Sequence, residues 1–288
     1  MVNNSFDREK GGNVSRRTFL AGVGATVAGA AVAPAATAGA AVQAHTPSGR
    51  VQLFNGKDMT GLYTHLRGIG SRKDPNKVFT VHDNMIHISG EIYGGIYTEE
   101  AYENYRVVCD FKWGVEMHQP GARDSGLLLH ATGEDGGFRG DWTESIEFQM
   151  YEGATGDFIL LNNKVGVSVT VEGEMRDDGL FHYVPGMPAT ERAMMKDGEP
   201  TNITYIIPHL NRDPAWRSEL GFRGVGTVEA EVGDWNTIEA VCEGDTITNF
   251  VNGRMVNKAT NCFPTRGKIG IQSEGAELFV RRFDLFPL

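Results

Sequence analysis

Glu147 and Gln149 stand two positions apart in the run Ser145-Ile146-Glu147-Phe148-Gln149-Met150-Tyr151-Glu152. A strand sends every second side chain to the same face, so Ile146, Phe148 and Met150 enter a core while the carboxylate and the amide stand together on the opposite side. A carboxylate so placed serves as a general base or a metal ligand, and an amide beside it binds a hydroxyl or fills a metal position. The competing reading is an ordinary solvated sheet face. Upstream, Asp124-Ser125-Gly126-Leu127-Leu128-Leu129-His130 puts His130 on one face with Gly126 and Leu128, the glycine clearing space beside the imidazole. Neutral imidazole suits proton abstraction and metal ligation alike; the plain alternative is a hydrogen-bonded sheet histidine. Gln272 and Glu274 share a face of a later strand, with Ile269 and Ile271 on the other, and add a second carboxylate if that strand neighbours Glu147. Asp124 and Arg123 precede their strand, where they reach the rim of the floor or make a solvated turn. Glu152 joins the floor only if a bulge follows Met150.

Strands must position these groups, and the chain is built of them. Period-two runs recur, among them Tyr105–Trp113, Gly126–Ala131, Ser145–Met150, Lys164–Val171, Thr246–Val251 and Lys268–Ser273, while long helical periodicities are missing. About a dozen such short strands predict an all-β sandwich of two antiparallel sheets. Asp83-Asn84 and Asn252-Gly253 read as hairpin tips. From Glu172 to Gly233 the rhythm breaks into Gly, Pro, Met and charged residues. Tyr183, Tyr205, Trp216 and Phe222 give this stretch something to pack with, so 172–233 is expected to be an ordered covering loop region over one sheet face.

The first residues read as an address. Ser15-Arg16-Arg17-Thr18-Phe19-Leu20 is a twin-arginine pattern, and a weakly hydrophobic Ala/Gly/Val run follows it to Ala44. That run is too poor in Leu, Ile and Phe to favour a permanent span. Residues 1–44 are therefore expected to be a signal peptide handled by the twin-arginine export machinery, giving a periplasmic or extracellular product without stable membrane insertion. A formal net charge of −10 over 288 residues disfavours nucleic acid and anionic lipid as partners. Cys109, Cys242 and Cys262 are odd in number and allow one disulfide at most; they read best as small buried hydrophobes. His82, His87, His118, His182 and His209 form no paired metal spacing, and there is no phosphate loop or nucleophile elbow.

A longer series of short motifs adds to this. Leu53-Phe54-Asn55-Gly56-Lys57-Asp58, Tyr97-Thr98-Glu99-Glu100, Ser125-Gly126-Leu127-Leu128-Leu129-His130 and Ile146-Glu147-Phe148-Gln149-Met150-Tyr151-Glu152-Gly153 come first. Thr155-Gly156-Asp157-Phe158, Arg212-Asp213-Pro214-Ala215-Trp216, Gly221-Phe222-Arg223-Gly224, Asp234-Trp235-Asn236-Thr237 and Gly270-Ile271-Gln272-Ser273-Glu274-Gly275 follow. In this order they resemble the 3-keto-disaccharide hydrolase family over essentially the whole mature chain. The resemblance implies a concanavalin A-like jelly-roll β-sandwich over residues 45–288, as a single catalytic domain. It also implies an enzyme that cleaves 3-keto-glycosides or 3-keto-disaccharides, by hydrolysis or by elimination followed by hydration. A divalent cation of the Ca or Mn type is implied for some members, and no organic cofactor.

The implied chemistry is physically sensible. A C3 ketone acidifies the C2 proton, so a base removes it and the enolate expels the C1 oxygen without an oxocarbenium ion. Such a site needs a base near C2 and a cation or hydrogen-bond donor at the enolate oxygen. On this reading Glu147 and His130 are catalytic, and Glu147, Glu274 and His130 are the side chains offered to the cation. Gln149 and Gln272 bind substrate, Trp216 stacks on a sugar ring, and Arg223 clamps the enolate oxygen. Two alternatives share the fold. A conventional jelly-roll glycosidase carries Glu-x-Asp-x-(x)-Glu, but here Gln149 replaces the Asp between Glu147 and Glu152. A non-catalytic carbohydrate-binding module needs only a polar floor and a few aromatic residues.

Overall fold

The computed structural model describes residues 44–45, 48–187, 189–192 and 203–288, with side chains over 48–187 and 206–288. The leader read over 1–44 lies outside the described residues except for Ala44. Strands and turns make up the described chain, and no helix occurs in it. Two antiparallel sheets stack as the jelly-roll sandwich that the alternating pattern predicts.

The first sheet has eight strands, ordered Ile203–Ile207, Phe158–Asn162, Ser145–Tyr151, Asp124–Ala131, Lys268–Ser273, Gly94–Thr98, Leu62–Leu66 and Gly70–Ser71. The second has eleven, with Tyr105–Met117 at its centre between Asn236–Glu243 and Ala276–Pro287. Between the sheets lies the main core. Leu127, Leu129, Ile146, Phe148 and Ile271 come from the first sheet, and Val107, Phe111, Ile238 and Phe283 from the second. Cys109, Cys242 and Cys262 are free thiols buried in that core. At Asn252 and Gly253, φ is 48° and 77°, and Val251 pairs directly with Arg254. Two consecutive positive φ values make the hairpin turn whose twist matches its strands, which is why Asn-Gly sits there.

The stretch 172–233 is not one covering loop. Its beginning continues the Ser168–Met175 strand, Phe181–Tyr183 and Ala189–Arg192 pair with that strand, and Ile203–Ile207 forms an edge of the first sheet beside Phe158–Asn162. Among the described residues of this stretch, the longest irregular run begins after Ile207 and extends over 208–235. Ile203–Ile207 is apolar with little alternation, a pattern that does not separate strand from loop packing by periodicity.

Candidate active site

The outward face of the first sheet is a grid, because antiparallel pairing aligns alternate residues of five strands. Tyr63, Tyr97, Gly270, Leu128 and Glu147 form one row across it. His65, Gly95, Gln272, Gly126 and Gln149 form the next. Continuing each strand by two residues gives a third row: Arg67, Tyr93, Glu274, Asp124 and Tyr151. Its ends are tied by the Arg67 N–H donating to the Tyr93 carbonyl at 2.9 Å and by the Asp124–Tyr151 pairing. The structure thus brings Gln149, Gln272 and Glu274 to Glu147, and adds Asp124.

Small residues and an apolar plug shape this floor. A Cβ on Gly126 would overlap both Glu147 Oε1 and Gln272 Oε1, so the two side chains lie where a larger residue would stand. Behind Glu147, a second apolar cluster of Tyr63, Tyr97, Leu128, Ile159 and Leu161 is covered by Phe138 and Trp142 of the 132–144 turn. Glu147 therefore sits where dry packing gives way to a polar row, and is only 2% exposed.

The polar pairing is incomplete. Gln272 Nε2 donates to Glu147 Oε2 at 3.2 Å, and Gln149 Nε2 donates to Asp124 Oδ1 at 3.0 Å. Each amide turns its NH₂ to a carboxylate, which leaves both Oε1 atoms buried without a partner. Burial, then the charge of Asp124, raises the Glu147 pKa well above the usual carboxylate range against the Gln272 hydrogen bond. Burial also raises Asp124, and burial with the charges of Asp124, Glu147 and Asp141 raises Glu274. Three carboxyls held this way cannot all ionise near neutrality, so the group keeps a proton while retaining a carboxylate able to accept one.

Aromatic residues wall the floor at both ends. Tyr93 stacks on Trp142 at 5.7 Å between centroids and lies 4.4 Å beneath the Arg67 guanidinium. Burial and the charges of Glu274 and Asp124 push the Tyr93 hydroxyl up to about 12. Trp142 Nε1 donates to the Gly94 carbonyl at 2.8 Å, and Arg67 pairs with the buried Asp141, so the 132–144 turn is pinned beside Glu274. At the other end Tyr151 meets Trp216 edge-on at 5.0 Å and donates to Ser218 Oγ at 2.6 Å. Trp216 Nε1 donates to the Glu152 carbonyl at 3.1 Å, which places the indole at the end of the third row.

Two expected placements are corrected. His130 does not share the face of Gly126 and Leu128. A bulge between Leu128 and Ala131 puts His130 at φ 53° and turns its ring between the sheets, edge-on to Tyr105 at 5.6 Å. Nδ1 bonds the Pro264 carbonyl at 2.9 Å, and burial pushes the imidazole pKa down to about 4. Arg223 does not face the floor either: Nη1 and Nη2 donate to the carbonyls of Glu229 and Ala230, bracing its own segment. Glu152 is also elsewhere, paired with Arg123 at 3.0 Å. Without His130, the ligand set Glu147, Glu274 and His130 is not assembled. Among the described residues no group of three or more His, Cys, Asp or Glu is arranged to hold a metal ion. The residues present do not fit that set.

Sequence reasoning missed Arg67, Tyr93, Asp141 and Trp142. The strand Leu62–Leu66 carried the available signal, since Leu62 and Leu66 point to the core and Tyr63 to the outer cluster. Asp141 and Trp142 sit in a turn, where no periodicity marks them.

Residues 49–285 match the 3-keto-alpha-glucoside-1,2-lyase-like domain. The chain belongs to this family. Its members are glycoside-acting, and the protein is a carbohydrate-active enzyme of that kind. Among solved structures, a protein of Parabacteroides distasonis ATCC 8503 provisionally assigned as a glycosyl hydrolase is 17% identical, over 83% of this chain and 94% of its own, with a TM-score of 0.46. The carbohydrate binding module CBM66 from Bacillus subtilis is 10% identical over 77% and 93%, with a TM-score of 0.40. A Bacillus licheniformis β-glucanase is 13% identical over 85% and 100%, also at 0.40. No curated protein matches the chain.

Proposed function

We propose that the protein cleaves 3-keto-glycosides by proton abstraction and elimination, with water then adding to the product. The observation that carries this reading is the convergence of Glu147, Asp124 and Glu274 around the space above Gly126, with two amide oxygens that lack partners. Ionised Glu147 takes the C2 proton, and the freed electron pair makes the C2–C3 double bond of an enolate whose charge rests on the C3 oxygen. The enolate re-forms the ketone, its pair makes the C1–C2 double bond, and the C1–O bond breaks toward the leaving oxygen. Asp124 gives that oxygen a proton. In the return half, Asp124 takes a proton from the water that attacks C1, and Glu147 returns its own to C2. Carboxyls whose pKa burial raises above the usual carboxylate range give and take a proton more evenly than an exposed carboxylate, which suits both directions. Gln149 and Gln272 accept sugar hydroxyls at their unpartnered Oε1 atoms, and Tyr151 with Trp216 supplies an aromatic wall at the Asp124 end of the row.

The twin-arginine pattern Ser15–Leu20 supports export of this enzyme to the periplasm or beyond. The deciding assay is release of the aglycone from a 3-keto-glucoside and from its unoxidised parent, each with and without chelator. Turnover of the keto sugar alone, indifferent to chelator, is expected. Cleavage of the parent alone would overturn the reading in favour of a conventional glycosidase, and binding of both without turnover would leave a binding module.

A further inference from the structure

We propose that the site accepts a keto sugar only at the end of a chain, with nothing attached to its O4, and holds the leaving group on the open side; this rests on the keto-glycoside reading above. Three neighbouring strands close in the same direction. From the third row inward, Tyr151 gives way to Gln149 and Glu147, Asp124 to Gly126 and Leu128, and Glu274 to Gln272 and Gly270. The outer residue of each series is half-buried, while Gln149, Glu147 and Gln272 are 7%, 2% and 1% exposed and Leu128 is wholly sealed. A ligand that reaches Glu147 therefore has room only on the Asp124 side.

What shuts the inner end is a fixed wall. Leu128 stands directly opposite Glu147 and packs with Tyr97, Phe138 and Trp142 in the outer apolar cluster. The Tyr97 ring lies over Gly270, where a Cβ would come within 2.6 Å of it. The 132–144 turn that covers these residues is tied down along its length. Asp135 accepts the hydroxyls of Tyr63 and Ser71 at 2.7 and 2.6 Å, His65 Nε2 bonds the Gly140 carbonyl at 3.2 Å, and the Thr143 N–H donates to the Tyr97 hydroxyl at 3.1 Å. A close-packed wall of this kind yields little to an added group. With Glu147 at the C2 hydrogen and Asp124 at the C1 oxygen, a ring lying over Gly126 points C1 outward along the strand and C4 inward, at Leu128. A free hydroxyl fits there; a methyl or a further sugar on O4 meets the wall. The leaving group, attached at C1, passes over Asp124 toward the half-buried Tyr151 and Trp216. Leu128 is then a specificity-determining residue.

The test compares kcat/KM of the wild type on an aryl 3-keto-glucoside, on its O4-methyl and O4-glucosyl derivatives, and on a 3-keto-disaccharide whose second sugar is the leaving group. The O4-methyl group is expected to cost about 10²-fold, within the range for one carbon too many in an apolar pocket. The O4-glucosyl compound should be inert, while the disaccharide is turned over. Leu128→Ala makes room for one methyl, so its O4-methyl penalty falls about 10-fold while the O4-glucosyl compound stays inert. Equal turnover of the O4-glucosyl and parent compounds by the wild type overturns the proposal and leaves the keto-glycoside reading intact. Rejection of the disaccharide does the same, since the closed end would then face the leaving group. An unchanged O4-methyl penalty in a folded Leu128→Ala removes Leu128 from the wall. The wild-type comparison needs no variant, so it decides even where Leu128→Ala fails to fold. A wild type that releases nothing from the unsubstituted keto sugars sinks both readings.

Discussion

Glu147 and Glu152 belong to one strand and its following turn, both are almost wholly buried, and they are held in opposite ways. Glu152 Oε2 takes Arg123 Nη1 at 3.0 Å, and its Oε1 takes the Gly221 N–H at 3.1 Å. It ties the irregular 208–235 segment to the sheet. Glu144, on the other side, accepts the N–H groups of Lys164 and Val165 at 2.8 and 2.9 Å and closes a turn. Glu147 has one neutral amide, feels the charge of Asp124 and itself bears on Glu274. Burial is the same in all three; compensation is not. A buried charge that the fold pairs is structural, whereas one left short of partners costs stability and is retained where a ligand or a proton completes it. This contrast also weighs against a conventional retaining pair built from Glu147 and Glu152, because Arg123 already occupies the second carboxylate.

The comparison can be broken most sharply at Glu147. Glu147→Gln is expected to lower kcat by about 10³-fold, within the usual range for losing a positioned base. It should also melt higher, by about 2–4 °C for each kcal/mol of relieved repulsion. A folded variant with near-normal turnover would remove Glu147 from the chemistry. The mirror experiment is Glu152→Gln, which leaves Arg123 buried without its carboxylate. Breaking a buried pair typically costs about 3–5 kcal/mol, so urea unfolding should show a loss of that size while activity per folded molecule persists. If Glu152→Gln instead kept its stability and lost activity, the two glutamates would have exchanged roles.

Gly126→Ala probes the space rather than the charge. The added methyl overlaps Glu147 and Gln272 at ordinary backbone dihedrals, so about 10²-fold in kcat should go with little change in unfolding free energy. The smallest effect expected is on pH dependence, where the two faces of the sheet pull apart. The raised carboxyls bind protons more tightly folded than unfolded. Their contribution is therefore complete below about pH 4 and is lost as pH rises through their folded pKa values. His130 runs the other way. With a folded pKa of about 4, below its ordinary value, its contribution is present above about pH 6.5 and is lost as pH falls toward 4, by up to about 1.4 kcal/mol per pH unit. Melting temperatures from pH 4 to 9 should fall on both flanks. Glu147→Gln should flatten the alkaline flank and His130→Asn the acid one, since Asn tolerates positive φ at that bulge. Flattening of the wrong flank by either variant would refute the assignment.

Much of this was legible in the chain, for local reasons. A period of two is a property of the strand itself, so the alternation in 145–150 and 268–273 was enough to put Glu147 with Gln149, Gln272 with Glu274, and their apolar neighbours in the core. Asn252-Gly253 named its hairpin because the turn demands positive φ at both positions. The ordered motifs sufficed to indicate the family. What alternation cannot express is which strand lies beside which. Gln272 reaches Glu147 only because Lys268–Ser273 and Ser145–Tyr151 flank the same strand from opposite sides, with Gly126 between them leaving room. His130 left the floor through a bulge that depends on its pairing partner, and Glu152 left it by meeting Arg123 across the sheet end. Arg67 and Asp141 came together because a turn folds back onto the sheet. The sequence decided which side chains share a face wherever a strand runs without a bulge, since alternation is settled within the strand. The tertiary structure decided which faces meet and which charges go uncompensated, since both depend on contacts between residues far apart in the chain.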